Sequence, residues 1–248
     1  MPNDSVLVGS VPTTDGTANT IQPGALLVLD ASGNPLGQIS DSQLLDSPWD
    51  LTVNDKGDTA QVFVANVKSG TVTRIDLTVP LGGTPKVESE TLIASGFTSQ
   101  ANSTALILGP TGLAFDARTG TLFVASTADN TIFAVNHAGT RMTDAGTGRD
   151  LFKGKSDPHL NGPLGLVLAL NGDLIVANGD AFKPGSTPPS ELLEFMRGGH
   201  FMGEFPVDPN AGGAFGVAAA DDNGELRFAA VDDNSNTVSV WHFESGGM

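Results

Sequence analysis

Short apolar runs, five to seven residues long and separated by turns of Gly, Asn and Asp, recur along the whole chain. They belong to one repeated unit. It starts at a Pro or Gly corner, runs as a short apolar strand, turns, returns as a second strand ending in a small polar residue, and passes into a third strand. One copy reads Ser47-Pro48-Trp49-Asp50-Leu51-Thr52-Val53 and, after a turn at 54–58, Val62-Phe63-Val64-Ala65-Asn66. The next reads Gly109-Pro110-Thr111-Gly112-Leu113-Ala114-Phe115, then Leu122-Phe123-Val124-Ala125-Ser126. A third is Gly162-Pro163-Leu164-Gly165-Leu166-Val167-Leu168, then Leu174-Ile175-Val176-Ala177-Asn178. A weaker fourth runs through Gly213-Ala214-Phe215-Gly216-Val217 and 226–231, and third strands follow at 71–77, 131–135, 191–195 and 237–243. Apolar strands joined by Asn-Gly-like or Asp-Gly-like turns are antiparallel hairpins, because those residues accept the positive φ of tight turns. Units of about four strands repeating every roughly fifty residues are propeller blades.

The expected fold is therefore all-β: one β-propeller domain over 1–248 with about five blades, near 5–40, 47–96, 109–153, 162–206 and 213–243. Ser5-Val6-Leu7-Val8-Gly9-Ser10 aligns with a second strand, so the first blade is expected to lack its innermost strand, and the last blade its outermost. Two blades of three strands follow. Such a chain either closes as five blades or covers its open edges by forming a homodimer through the incomplete terminal blades.

The pattern Gly-Pro-x-Gly-Leu, then a turn, then Leu-x-Val-Ala-(Asn/Ser) resembles the NHL repeat family of β-propellers. Copies at 109–135 and 162–178 match well and those at 47–77 and 213–243 in outline, together about four fifths of the chain. NHL-type and lactonase-type propellers usually have six blades, so the resemblance is to a truncated six-bladed type. It implies a fold and not a chemistry.

Composition narrows the partners. Gly and Pro number 31 and 15, which leaves little room for long helices. The net charge of −16 repels phosphate backbones and anionic membranes, so nucleic acid and membrane partners are not expected. The same field concentrates cations, and calcium takes carboxylate and amide oxygens. With no cysteine there is no disulfide, thiolate metal site or thiol nucleophile. No apolar run is long enough for a membrane helix, and Met1-Pro2-Asn3-Asp4 has no leader character, so a soluble protein without a signal peptide in this form is expected. A longer parent of extracytoplasmic origin is compatible with this.

Acidic residues of the strand 1–2 turns (Asp55, Asp58, Asp116, Asp173, Asp221, Asp222) are turn formers. The opposite loop face collects Trp49, Asp50, Asn66, Ser126, Asp129, Asn130, His159, Asn161, Asn178, Asp180 and 232–234. Asn66, Asn178 and Asp232 end second strands and Asp50 heads a first strand, so these four are the expected metal ligands; capping of loops through side-chain to backbone bonds is the alternative for them. His159, with Asp180, is the expected proton acceptor for water near a metal-polarised ester, and Trp49, Asn130 and Phe182 the expected substrate contacts. No Gly-x-Ser-x-Gly elbow occurs. The Asn and Asp set resembles the calcium centre of gluconolactonase and paraoxonase propellers, which implies a calcium-dependent hydrolase of lactones or related esters. In those families a glutamate joins the metal, and here Asp50 would have to replace it. The alternative is a non-catalytic NHL-type propeller that binds a peptide, glycan or partner protein through Trp49, Phe182 and the Pro/Ser-rich insert at 183–189.

Overall fold

A computed structural model describes residues 5–80, 83–179, 189–222 and 225–243. They form a β-propeller of five antiparallel blades in chain order. Blade 1 is β1 (Val6–Ser10), β2 (Ala25–Leu29) and β3 (Pro35–Ile39). Blade 2 is β4 (Pro48–Asp55), β5 (Thr59–Asn66), β6 (Thr71–Thr78) and β7 (Lys86–Ser95). A hairpin of β8 (Gln100–Asn102) and β9 (Leu106–Leu108), which the repeat pattern does not contain, precedes blade 3: β10 (Pro110–Asp116), β11 (Thr121–Ser126), β12 (Thr131–Val135) and β13 (Arg149–Lys153). Blade 4 is β14 (Pro163–Leu168), β15 (Leu174–Asn178), β16 (Glu191–Phe195) and β17 (Phe201–Pro206). Blade 5 is β18 (Ala214–Asp222), β19 (Glu225–Asp232) and β20 (Thr237–Phe243). Among the described residues the first and last blades have three strands each.

The second strands explain why these runs are continuously apolar. Those of blades 2, 3 and 4 (β5, β11 and β15) lie between two other blades, so both of their faces are covered. Val62 and Val64 of β5 pack with Leu26, Val28 and Ile39 of blade 1, while Phe63 and Ala65 pack with Leu113, Leu122 and Val124 of blade 3. In β11 the alternation repeats: Leu122 and Val124 face blade 2, and Phe123 and Ala125 face Leu166, Leu174 and Val176 of blade 4. Burying each large side chain fully is worth about 1.5–3 kcal/mol. Rings add directional contacts across the junctions, Phe63 on Phe115 at 4.6 Å and Phe152 on Phe195 at 4.3 Å.

Polar staples reinforce the same seams. The buried Arg74 guanidinium donates to the carbonyls of Ala138 and Arg141 in blade 3 and pairs with Asp76 at 3.0 Å. Arg197 of blade 4 reaches the buried Asp116 of blade 3 at 2.8 Å. Asp55 and Asp173 serve their own turns, Asp55 accepting from Gly57 N–H and Asp173 from the Asn171 amide.

First strands pack in series, β4 on β10, β10 on β14 and β14 on β18, and β1 sits against β4. No packing of that extent joins blade 5 to blade 1 among the described residues. Val6, Val8 and Leu27 of blade 1 and Val238 and Val240 of blade 5 are accordingly exposed.

Close approach of the first strands explains the glycine of Gly-Pro-x-Gly. A Cβ on Gly112 would lie 2.1 Å from the Leu164 carbonyl oxygen, and one on Gly165 2.5 Å from that of Phe215. Gly165→Val should therefore destabilise the fold by about 1–3 kcal/mol in urea unfolding. Gly203→Ala, where a Cβ meets nothing within 4 Å, should leave the midpoint within about 0.5 kcal/mol of the parent.

Candidate functional site

Each first strand begins with a break in register against its second strand, at Pro48/Asp50, Pro110/Gly112, Pro163/Leu166 and Ala214/Val217. Such irregularities re-aim side chains. They open a central cavity of about 330 Å³, bounded by Trp49 to Thr52 of β4, Thr111 and Leu113 of β10, Leu164 to Val167 of β14 and Phe215 to Ala219 of β18. Its side chains are largely hydrocarbon, but backbone groups and the polar side chains make about half of the exposed wall polar. Thr52 and Thr111 contribute hydroxyls, and Thr111 bonds to Thr127 at 2.8 Å within a buried pair.

Asp50 is the single ionisable side chain among the described residues lining this cavity. It stands where the other three copies carry Gly112, Gly165 and Gly216. Its carboxylate reaches across to β10 and accepts the Leu113 backbone N–H at 2.8 Å. Burial pushes its carboxyl up to about 6 from the ordinary 3.8, against the opposing pull of the Leu113 and Leu51 N–H groups. A carboxyl so placed is partly ionised near neutral pH and suited to moving protons.

The other expected metal ligands do not join it. Asn66 is fully buried and accepts Asp46 N–H at 3.2 Å while donating to the Leu44 carbonyl at 3.0 Å. Asn178 repeats the arrangement two blades on, accepting Asn161 N–H at 3.0 Å and donating to the His159 carbonyl at 2.7 Å. Each amide clamps the loop that leads into its own blade. Asp232 caps its turn, accepting Asn234 N–H at 3.1 Å. None of the three lines the cavity. A calcium ion needs its oxygens converging at about 2.3–2.6 Å, so Asp50, Asn66, Asn178 and Asp232 as arranged here do not fit one. Among the described residues no three His, Cys, Asp or Glu side chains come together as a metal site.

His159 also lies away from the cavity lining. Its ring stacks on Phe201 at 3.7 Å, and Nδ1 sits 3.1 Å from Asp157 Oδ1. Asn130 ties blade 3 to the next loop, donating to the Leu160 carbonyl at 3.2 Å and accepting Gly162 N–H at 2.5 Å. Of the expected substrate contacts, Trp49 lines the cavity. Asp180 and Phe182 lie outside the described residues. Two residues carry more than the repeat pattern indicated: Asp50, for its solitary channel position, and Glu191, buried at the head of β16 and accepting from Asn178 at 2.8 Å. For Asp50 a signal was present in the broken glycine register; for Glu191, inside an ordinary third-strand pattern, there was none.

The fold and channel define a β-propeller. No protein-family profile matches the sequence, and no curated protein matches it either. Among solved structures, the BBS1N crystal structure in complex with ARL6DN is similar at a TM-score of 0.51 and 15% identity, over 98% of this chain and 62% of that one. The chain thus spans less than two thirds of that relative's length. A luciferin-regenerating enzyme is similar at a TM-score of 0.49 and 14% identity, over 97% of this chain and 78% of that one. The hydrazine synthase of Kuenenia stuttgartiensis gives 0.44 and 16%, over 79% and 49%. At this identity the likeness is one of fold. No helix among the described residues is long and apolar enough to cross a membrane.

The raised Asp50 carboxyl has a signed consequence for stability. The folded state holds this proton more tightly than the unfolded chain, so the favourable contribution of the neutral form is present in acid and lost as pH rises from about 4 through about 6. Asp50→Asn, which keeps an acceptor for Leu113, should therefore gain thermal stability over the parent progressively across that interval. The difference between the two melting temperatures, measured at matched pH, should be near zero at pH 3.5 and level off above about pH 7.

Proposed function

We propose that the channel takes small molecules that present both a hydrocarbon part and a polar group, and that the chain hydrolyses lactones or related carboxylic esters there, with the Asp50 carboxylate activating water. The observation that supports this is a carboxyl, raised to about 6 and without another ionisable side chain among the described lining residues, in a cavity of about 330 Å³. In the step envisaged, Asp50 accepts a proton as the water oxygen bonds to the carbonyl carbon. Collapse of the tetrahedral adduct breaks the carbon–oxygen bond to the alkoxide, and the Asp50 carboxyl returns the proton to it. The Leu, Val and Phe wall would hold the acyl part and keep bulk water from the reacting group.

A non-catalytic channel is the second reading. It is favoured by the lack of another ionisable group among the described lining residues, which leaves Asp50 as a single polar anchor for a bound ligand.

A panel of lactones and short aryl esters, assayed with EDTA and with added calcium, separates these readings. Turnover indifferent to chelator, rising through about pH 6 and reduced about 100-fold or more in Asp50→Asn, is expected. His159→Ala should retain it. Activity lost to EDTA and restored by calcium would return the metal to the centre of the mechanism. Absence of turnover, with quenching of Trp49 emission by an apolar lactone in a Trp241→Phe background, would establish capture without chemistry.

A further inference from the structure

We infer that the channel binds organic amines, with the ammonium group seated on Asp50 and the carbon skeleton against the side chains of β14 and β18. The inference rests on the channel as a small-molecule site with Asp50 facing it, and is independent of the hydrolytic step. The hydrogen bonds to the Asp50 carboxylate come from backbone N–H groups, those of Leu113 and Leu51. No Lys, Arg or His stands among the described lining residues of β4, β10, β14 and β18, so this carboxylate meets the cavity without a countercharge. A charge left unpaired in such surroundings is costly, and a ligand that brings the opposite charge removes that cost.

The hydroxyls of the wall also call for a donor. Thr111 has one hydroxyl proton and, within 3.5 Å, the carbonyls of Ala125, Pro163 and Leu164 and the Thr127 hydroxyl oxygen as acceptors. Thr127 in turn donates to the Pro163 carbonyl at 2.6 Å. The Thr111 proton is therefore engaged inside the wall, and what Thr111 has left for the channel is an oxygen lone pair. Asp50 and Thr111 both accept, and the Thr52 hydroxyl can turn either way. A group carrying several N–H donors matches this set, whereas a group that only accepts does not.

The same wall selects an organic cation over a metal ion. Calcium takes six to eight oxygens, and the described lining side chains supply one carboxylate and two hydroxyls. An ammonium group needs one carboxylate, and the hydrocarbon attached to it finds Leu164, Leu166, Phe215 and Val217. Phe215 is 37% exposed, and an ammonium group is attracted to the face of an aromatic ring where a neutral polar group gains little. The net charge of −16 raises the local concentration of cations and lowers that of anions before either reaches the channel.

Phenylethylamine and 2-phenylethanol share a skeleton and differ in charge, so the pair isolates the contribution of the ammonium group. In titration calorimetry of the whole chain at pH 7.5 the amine should bind about tenfold or more tightly than the alcohol. At pH 5, where Asp50 with its carboxyl near 6 is mostly protonated in the free protein, seating the amine should release close to one proton, measured from the heats in two buffers of different ionisation enthalpy. At pH 7.5 the release should be near zero. Asp50→Asn, checked for an unchanged circular dichroism spectrum, should bind amine and alcohol within about twofold of each other and release no proton at pH 5. Equal affinities in the parent, a preference for amine that survives Asp50→Asn, no proton release at pH 5, or no binding of the amine would each overturn the inference. The lactone panel is read apart from this. Amine selectivity without turnover keeps the ammonium seat and removes the hydrolase, and turnover that saturating phenylethylamine does not inhibit keeps the hydrolase and removes the ammonium seat.

Discussion

Each blade of this protein has two apolar faces, and a three- or four-stranded sheet cannot bury either by itself. Stacking blade against blade is the one arrangement that covers both. The second strands β5, β11 and β15 carry this constraint most directly, with alternate residues committed to different neighbours. A single residue of slippage in β5 would send Phe63 toward blade 1 and Val62 and Val64 toward blade 3, so register and blade order are specified together. Arg74 and Arg197 add charge-assisted bonds that span the seams and make the rotation of one blade on the next specific.

The channel is a by-product of that stacking, and its chemistry depends on how near the first strands come to one another. Glycines at 112 and 165 let backbone meet backbone. At the corresponding position of blade 2 stands a carboxylate, held by Leu113 N–H in surroundings that disfavour its charge. Placing it there costs stability at neutral pH and creates a proton-transfer group in a cavity with no other ionisable side chain among the described lining residues.

The loop amides illustrate how one residue type is used. Asn66 and Asn178 occupy equivalent places and make equivalent bonds, an N–H accepted from the residue just before the blade and a carbonyl engaged two residues earlier. Their recurrence is that of a structural clamp used in blades 2 and 4, which is also what two members of a ring of metal ligands would look like in a sequence.

Strand positions and blade boundaries were legible in the sequence, because alternation of apolar side chains and the φ demands of Gly, Asn and Asp turns act locally. The β8–β9 hairpin escaped, being short and outside the repeat. What the oxygen-bearing side chains do was not legible. Asn66, Asn178, Asp232 and Asp50 share a loop face in any alignment of the blades, and only the fold shows three turned into their own loops and one into the channel. Periodicity records which residues are apolar and how often they recur. The direction of a polar side chain, and the burial that raises the Asp50 carboxyl, depend on strands sixty or more residues away, such as the β10 that supplies Leu113, and these meet Asp50 only once the blades have stacked.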